Sequence, residues 1–423
     1  MRSVRVQIAL YGDLTYDSRV QKEARTLSEA GYQVSVACLG HNAAVTDLGP
    51  GIRVEVFPAR SHALPGSPNP FLEAGGPRAS GWAGRFGWLW DYVAGLRAWG
   101  RSLAETATTD ADAWHLHDLT ALAAVMPFLP PGLPVVYDSH ELFVNSGTAS
   151  RLPRPLSRLL QDYERRLVAR TAGVVTVNDE IARVLERRYR PRRLVVVANC
   201  PPRWSPPVRR PDHIRHAAGI PTGAPIALYH GGLVAGRGIE RLFDAFRDPR
   251  LSERHLVLLG YGEMRETYLE WSRRVPWRGH VHVLGPVPPG LLLEWIASAD
   301  VGLMVNPGTT LNDCYSSPNK LFECLAAGTP VVASDLPILR RVLAGPDGPL
   351  GVLCDQANTE DVARAISMVL GQSEDERRAW RVRCEAAARG RWNWETEAAR
   401  LLGLYEALSA HEAVAPSPGS HPG

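Results

Sequence analysis

Between Tyr315 and Asp335 the chain reads YSSPNKLFECLAAGTPVVASD, a run with one ammonium, Lys320, and one carboxylate, Glu323, near the start of an apolar stretch. A helix this apolar is buried, and buried charges need partners. Ser317 followed by Pro318 reads as an N-cap with proline at the first helical position, so Lys320 and Glu323 fall three residues apart on one face. Two arrangements satisfy them. The two charges can close on each other as a structural ion pair. Alternatively, the unpaired N–H groups of the helix start (Ser317, Asn319, Lys320, Leu321) and the lysine bind phosphate while Glu323 accepts hydrogen bonds from vicinal hydroxyls, the set that recognises a nucleotide sugar.

A second set lies at residues 231–238, GGLVAGRG, between the strand-like ALYH and a helical pattern. A glycine loop in that place can cradle phosphate. It departs from the P-loop pattern, with Arg237 at the lysine position and Gly238 at the hydroxyl position. Arg237 is expected to grip a diphosphate bidentately, with Lys320 as the second positive charge; a solvated arginine on a tight turn is the alternative. Ser317 to Lys320 also spells S-x-x-K, but no lysine follows it, so the K-T-G partner of that nucleophile motif is absent. Asp110-Ala-Asp112 precedes a strand instead of ending one and reads as a turn, and no obligatory metal is expected. Gly260-Tyr261-Gly262-Glu263 lacks the third glycine of the dinucleotide fingerprint, so NAD is not implied.

The elements that must hold these residues are legible as strands near 4–11, 32–39, 53–57, 113–116, 135–137, 173–177 and 194–198, with helical patterns mostly between them. A second series follows near 225–230, 255–259, 280–284, 301–305 and 330–333. Alternation of this kind predicts an α/β protein of two Rossmann-like doubly wound parallel-sheet domains facing across a cleft. The expected division is 1–203, a linker over 204–222 led by the proline-rich run 200–212, a second domain over 223–393, a helix over 394–411 and a disordered tail over 412–423. The length of 423 residues suits two domains, and 45% hydrophobic with 22% charged residues suits a soluble globular chain. A net charge of +3 gives no footprint for nucleic acid. The six cysteines are scattered without a C-x-x-C pair and read as reduced cytosolic thiols. No apolar run reaches the length of a membrane span.

The segment 315–335 resembles the motif of retaining glycosyltransferase family 4, in the branch that runs S-x-P-x-K-L-F-E followed by A-x-G-x-P-V-V-A-S. Further likeness lies at YDSRVQKEARTLSEAGYQVSV, HLHDLTAL, VVYDSHELF, GRGIERLFDAF, LLGYGE and ASADVGLMV. The resemblance implies the GT-B fold, with residues 394–411 crossing back to the N-terminal domain. It implies a nucleoside diphosphate sugar donor on the C-terminal domain, with its base near Gly262 and Val287. Two positions depart from the family pattern: Tyr315 stands where relatives carry a second glutamate, and Gly232 where they carry an arginine.

On that reading His140, just past a strand end, contacts the sugar or acts in catalysis; a hydrogen-bonding loop residue is the alternative. His115 and His117 alternate onto one face of their strand and would suit a metal pair, but without an evident third ligand they are assigned to structure, with His117 and Asp118 lining the acceptor side. Gly12, ending the first strand, lets backbone approach the diphosphate or acceptor, as do Gly231 and Gly232 for the donor. Asp17 reads as an N-cap and Arg19 as an acceptor contact. The aromatic and arginine-rich stretch 82–101 fits either a core helix or a peripheral contact with the inner face of the membrane. The chain therefore reads as a cytoplasmic hexosyltransferase acting from a UDP-linked donor on a hydroxyl acceptor. Two alternatives use the same architecture: a nucleotide-sugar epimerase or hydrolase, and a noncatalytic nucleotide-sugar-binding subunit.

Overall fold

The computed structural model describes residues 3–40, 47–58, 82–107, 110–207 and 209–412, with the side chains of 16, 58, 82–89 and 410–412 outside the description. It forms two units, one running to Val197 and resumed from Ala398, the other Ala198–Glu397. The expected tail from 413 onward lies outside the described residues.

The first unit holds seven strands: β1 (Arg5–Asp13), β2 (Gln33–Gly40), β3 (Ile52–Pro58), β4 (Ala113–His117), β5 (Val135–Ser139), β6 (Gly173–Thr176) and β7 (Leu194–Val196). Their spatial order is β3-β2-β1-β4-β5-β6-β7, all parallel. The second holds β8 (Ile226–Gly232), β9 (His255–Tyr261), β10 (Val281–Leu284), β11 (Val301–Met304), β12 (Val331–Ser334) and β13 (Gly351–Cys354), ordered β10-β9-β8-β11-β12-β13 and also parallel. In each sheet the order reverses at one place, between β1 and β4 and between β8 and β11. Crossovers leave such a point in opposite directions, which opens a crevice at the carboxyl ends of those strands. Asp118 follows β4 directly, and the loop from Leu233 to Gly238 follows β8.

Both faces of the second sheet are buried, as parallel sheets require. Ile226 and Leu228 belong to one core cluster together with Leu321 and Phe322, while Ala227 and Tyr229 belong to the other with Ile239 and Phe243. By this alternation His230 falls on the side of the helix Asn319–Ala326.

Several details differ from the sequence reading. β13, four residues with a glycine and no alternation, carries too little periodic signal to stand out. The division between units falls at Val197–Ala198, and the expected linker 204–222 contains the helix His213–Ala218, with Ile214 fully buried. The proline-rich run is tied down by the second unit: Trp394 N–H donates to the Pro201 carbonyl at 2.8 Å, and Glu395 accepts from Arg203 N–H. The last helix, Trp394–Glu412, groups with the second unit through Glu397 and with the first from Ala398, where Leu404 lies against Gly173 and Tyr405 against His115.

The aromatic stretch lies within the helix Trp82–Ala107. Tyr92, Leu96, Trp99 and Leu103 are buried, with Tyr92 and Trp99 edge-on to Tyr11, and at Gly100 a Cβ would lie 2.0 Å from the Ala124 carbonyl oxygen. Its described C-terminal half is a core helix, though Trp90 is 76% exposed. Among the described residues, no helix is long and apolar enough to cross a membrane. Asp110 and Asp112 both ion-pair with Arg5, so the D-x-D turn clamps the first strand.

Candidate active site

In the second unit the loop after β8 is shaped by close backbone approach. Gly238 has φ +78, and a Cβ there would stand 1.9 Å from the Val305 carbonyl oxygen; at Gly262 it would stand 2.3 Å from that of Leu233. Only glycine fits such positions, so the turn is built without side chains that would fill the crevice. Tyr229 donates from its hydroxyl to the Gly232 carbonyl at 3.0 Å and offers its ring to Lys320, whose Nζ lies 3.7 Å from the ring centroid. Gly231, at φ +108, places its Cβ direction 3.9 Å from Lys320 Cε and Nζ. The lysine is the sole charged group of the helix start, and burial, then Arg237, lowers it to about 7. Arg237 itself is exposed and makes no hydrogen bond or ion pair among the described residues. A buried ammonium lowered by a neighbouring guanidinium forms, with it, a site of positive potential suited to an anion.

Glu323 does not close on Lys320. Its Oε2 lies 2.9 Å from His230 Nε2, with the histidine side chain 4% and the carboxylate 23% exposed. The imidazole fixes one oxygen and leaves the other free to accept from hydroxyls. His230 was invisible to sequence reading, since only sheet alternation aims it at the helix.

The helix begins one residue later than expected, with Pro318 as N-cap and no side-chain cap bond. The extended ψ of 133 at Pro318 suits a residue outside the helix. Ser317 thus precedes the cap, and Asn319 and Lys320 are the first helical residues. Leu321 does not fit its expected role: its side chain is fully buried and its N–H donates to the Pro318 carbonyl. Val287 packs partly buried against the core, and Gly232 is exposed at the loop edge.

The first unit carries a different cluster at its switch point. The helix Ser18–Glu29 is capped by Asp17, as expected, and buries both Arg19 and Glu23. Arg19 grips Asp138 with Nε at 2.7 Å and Nη2 at 3.1 Å, reaches the Val197 carbonyl, and lies 3.1 Å from Glu23 Oε1. Its expected acceptor contact is therefore corrected: the guanidinium is 2% exposed and wholly occupied. His117 is likewise fully buried and does not line a surface. Its register partner on β5 is Asp138, and its ring stacks on His115 at 4.6 Å.

His140 and Asp118 are the members that reach solvent, with side chains 19% and 29% exposed. His140 Nδ1 lies 3.3 Å from Asp118 Oδ2, and its Nε2 lies 3.0 Å from His117 Nδ1. Burial alone would lower His140, but Asp118 and Asp138 outweigh it and raise it to about 10. Asp118 holds φ +61, a left-handed conformation that costs a non-glycine residue energy and collects at functional sites. Gly12 lies buried near the end of β1.

Two parallel-sheet units of this order, with a glycine loop and a cationic helix start at the switch point of the second, define the GT-B class of glycosyltransferase. Residues 16–200 match the family described as "Glycosyl transferase 4-like domain" and residues 224–372 the one described as "Glycosyl transferases group 1". The chain is a glycosyltransferase built from these two domains in that order. It is 26% identical over 423 residues to a D-inositol 3-phosphate glycosyltransferase of Xylanimonas cellulosilytica, covering 90% of this chain and 89% of that protein. It is 34% identical over 131 residues to a phosphatidyl-myo-inositol mannosyltransferase of Mycolicibacterium smegmatis, a match that spans 31% of this chain and only 32% of that protein's length. Among solved structures, sucrose-phosphate synthase of Thermosynechococcus elongatus superposes with a TM-score of 0.71 at 17% identity, covering 97% of this chain and 100% of that one. HepE of Anabaena, solved with UDP and glucose, gives 0.68 at 15% identity, covering 96% and 100%. At these identities the structural likeness is one of fold.

Proposed function

We propose that the protein is a retaining glycosyltransferase of family 4 that moves a hexose-type sugar from a nucleoside diphosphate donor, UDP-linked, to a hydroxyl acceptor. The observation that carries this reading is the pairing of two cations with a held carboxylate. Lys320 lies on the Tyr229 ring near enough to Arg237 to be lowered by it, while Glu323 is held through one oxygen by His230, an arrangement that supports a diphosphate beside the cations and sugar hydroxyls on the carboxylate.

In the proposed course the bond between the anomeric carbon and the diphosphate oxygen breaks, and the leaving group keeps the electron pair. Arg237 and Lys320 stabilise that growing charge, so no metal is needed at the phosphates. The acceptor hydroxyl attacks from the same face and its proton passes to the departing phosphate. Within the first unit, His140 held by Asp118 is the proposed catalytic group. The relatives' names support an inositol-type polyol as the first acceptor to test.

A donor-only assay followed by addition of acceptor tests the proposal. Acceptor-dependent release of nucleoside diphosphate with an α-configured product is expected from an α-linked donor. Product formed without acceptor would favour the epimerase or hydrolase, and binding without turnover the noncatalytic subunit.

A further inference from the structure

Glu23, His115, His117 and Asp138 each bring one ligand-type atom to within 4.8 Å of the others, and all four are buried. The imidazole atoms that point inward are unclaimed. His115 Nδ1 is taken up by the Tyr405 hydroxyl at 2.9 Å and His117 Nδ1 by His140 at 3.0 Å. Among the described residues both Nε2 atoms lack a hydrogen-bond partner, as does Glu23 Oε2, toward which they turn at 3.5 and 3.6 Å. Those distances are too long for hydrogen bonds between nitrogen and oxygen, which draw to about 2.7–3.2 Å. They match instead the separation of about 3.4 Å between atoms lying about 2.0–2.1 Å from a shared tetrahedral centre.

We infer that these residues form a buried site for a divalent cation of the zinc class, with Glu23 Oε2, His115 Nε2 and His117 Nε2 as ligands. Asp138 Oδ2, 3.8 Å from His115 Nε2, stands at the fourth corner and is shared with Arg19. Two imidazoles and a carboxylate suit zinc or cobalt better than the oxygen-seeking magnesium or calcium. With the metal on each Nε2, each Nδ1 carries the proton and donates outward, His115 to the Tyr405 hydroxyl and His117 to His140, whose Nε2 accepts once the dication has displaced its second proton; such outer hydrogen bonds are the ones histidine ligands habitually make. The ion would join the helix Ser18–Glu29 to β4, and through His117 fix the side of the His140 ring that faces Asp118. The ion lies within the first unit and takes no part in the phosphate chemistry proposed for the second.

The full chain, purified without a histidine tag and without chelator, tests this by elemental analysis and by cobalt exchange. About one zinc-class ion per chain is expected, with tetrahedral cobalt bands in the visible after exchange. Glu23→Gln and His117→Ala should each fall below about a tenth of an ion. Where a variant does not fold, anomalous scattering at the zinc edge from wild-type crystals locates the ion among the same three residues. Folded wild-type protein that holds less than a tenth of an equivalent after equilibration with zinc and with cobalt would overturn the site, leaving a proton on Glu23 as the neutralising charge. Metal retained in full by Glu23→Gln would overturn it equally, by placing the ion elsewhere.

Discussion

The two switch points carry similar groups in opposite conditions. After β8, Arg237 is exposed and unpaired and Lys320 is depressed to about 7; beside β4, Arg19 is 2% exposed and grips Asp138 through two bonds while touching Glu23. The second unit keeps its cations ready for a ligand, and the first consumes its cation in its own frame. Charge in the second unit should therefore govern catalysis, and charge in the first stability.

The largest effect follows from Arg19→Met. Removing the guanidinium strands the Asp138 carboxylate, which Arg19 and His140 hold well below the usual range against the upward push of burial. Loss of one partner from a buried ion pair costs about 3–5 kcal/mol, so denaturant midpoints should drop steeply. Arg19→Lys should recover only part, because an ammonium cannot copy the two-bond fork. A melt unchanged by Arg19→Met would erase the contrast between the units.

Lys320→Ala comes next and should act on rate. A lost contact to the developing diphosphate charge lowers kcat by about a hundred- to a thousandfold, or about 3–4 kcal/mol of transition-state stabilisation. Arg237→Ala, at an exposed position, should fall about tenfold to a hundredfold in kcat/KM while leaving the melt within about 0.5 kcal/mol. Turnover unchanged in both would remove the catalytic half of the comparison.

Much of this was legible because the helix start and the glycine loop are local signals. Pro318, Lys320 and Glu323 stand within six residues of one another, and glycines at 231, 236 and 238 mark a turn by themselves. Strand positions were legible for the same reason, β13 excepted. What could not be read depends on distant pairings. Glu23 lies on the first helix and meets His115 only when β4 inserts beside β1, so the histidine pair looked short of a third ligand. Arg19 read as an acceptor contact because nothing in its neighbourhood announces Asp138. His117 was placed on the acceptor side because its alternation was clear while the burial of that whole face was not.

His230→Ala sharpens the comparison from within the second unit, since there the contact is a hydrogen bond that aims a functional carboxylate. Losing a hydrogen bond to a charged group costs about 1.5–3 kcal/mol at most. Donor KM should rise by about tenfold with kcat less affected, and His230→Gln, which can still donate near the same place, should recover part of it. An unchanged KM in His230→Ala would make the imidazole a packing residue.

The smallest effect expected near neutrality is in the pH dependence of diphosphate binding. Lys320 titrates near 7 because burial, and then Arg237, disfavour its ammonium. Below that pH the free site already carries the charge; above it the amine must take up a proton when the anion binds, so affinity declines as pH rises. A group titrating near 7 predicts a loss of about fivefold between pH 7 and 8, approaching tenfold per unit higher up. Calorimetric titration with UDP in buffers of different ionisation enthalpy should register proton uptake approaching one per site above pH 8. Lys320→Arg should flatten the profile, because guanidinium stays charged throughout. A wild-type profile flat from pH 6 to 9 would mean that the Tyr229 ring and the open crevice already hold the ammonium charged, and that Lys320 is not the depressed partner of Arg237.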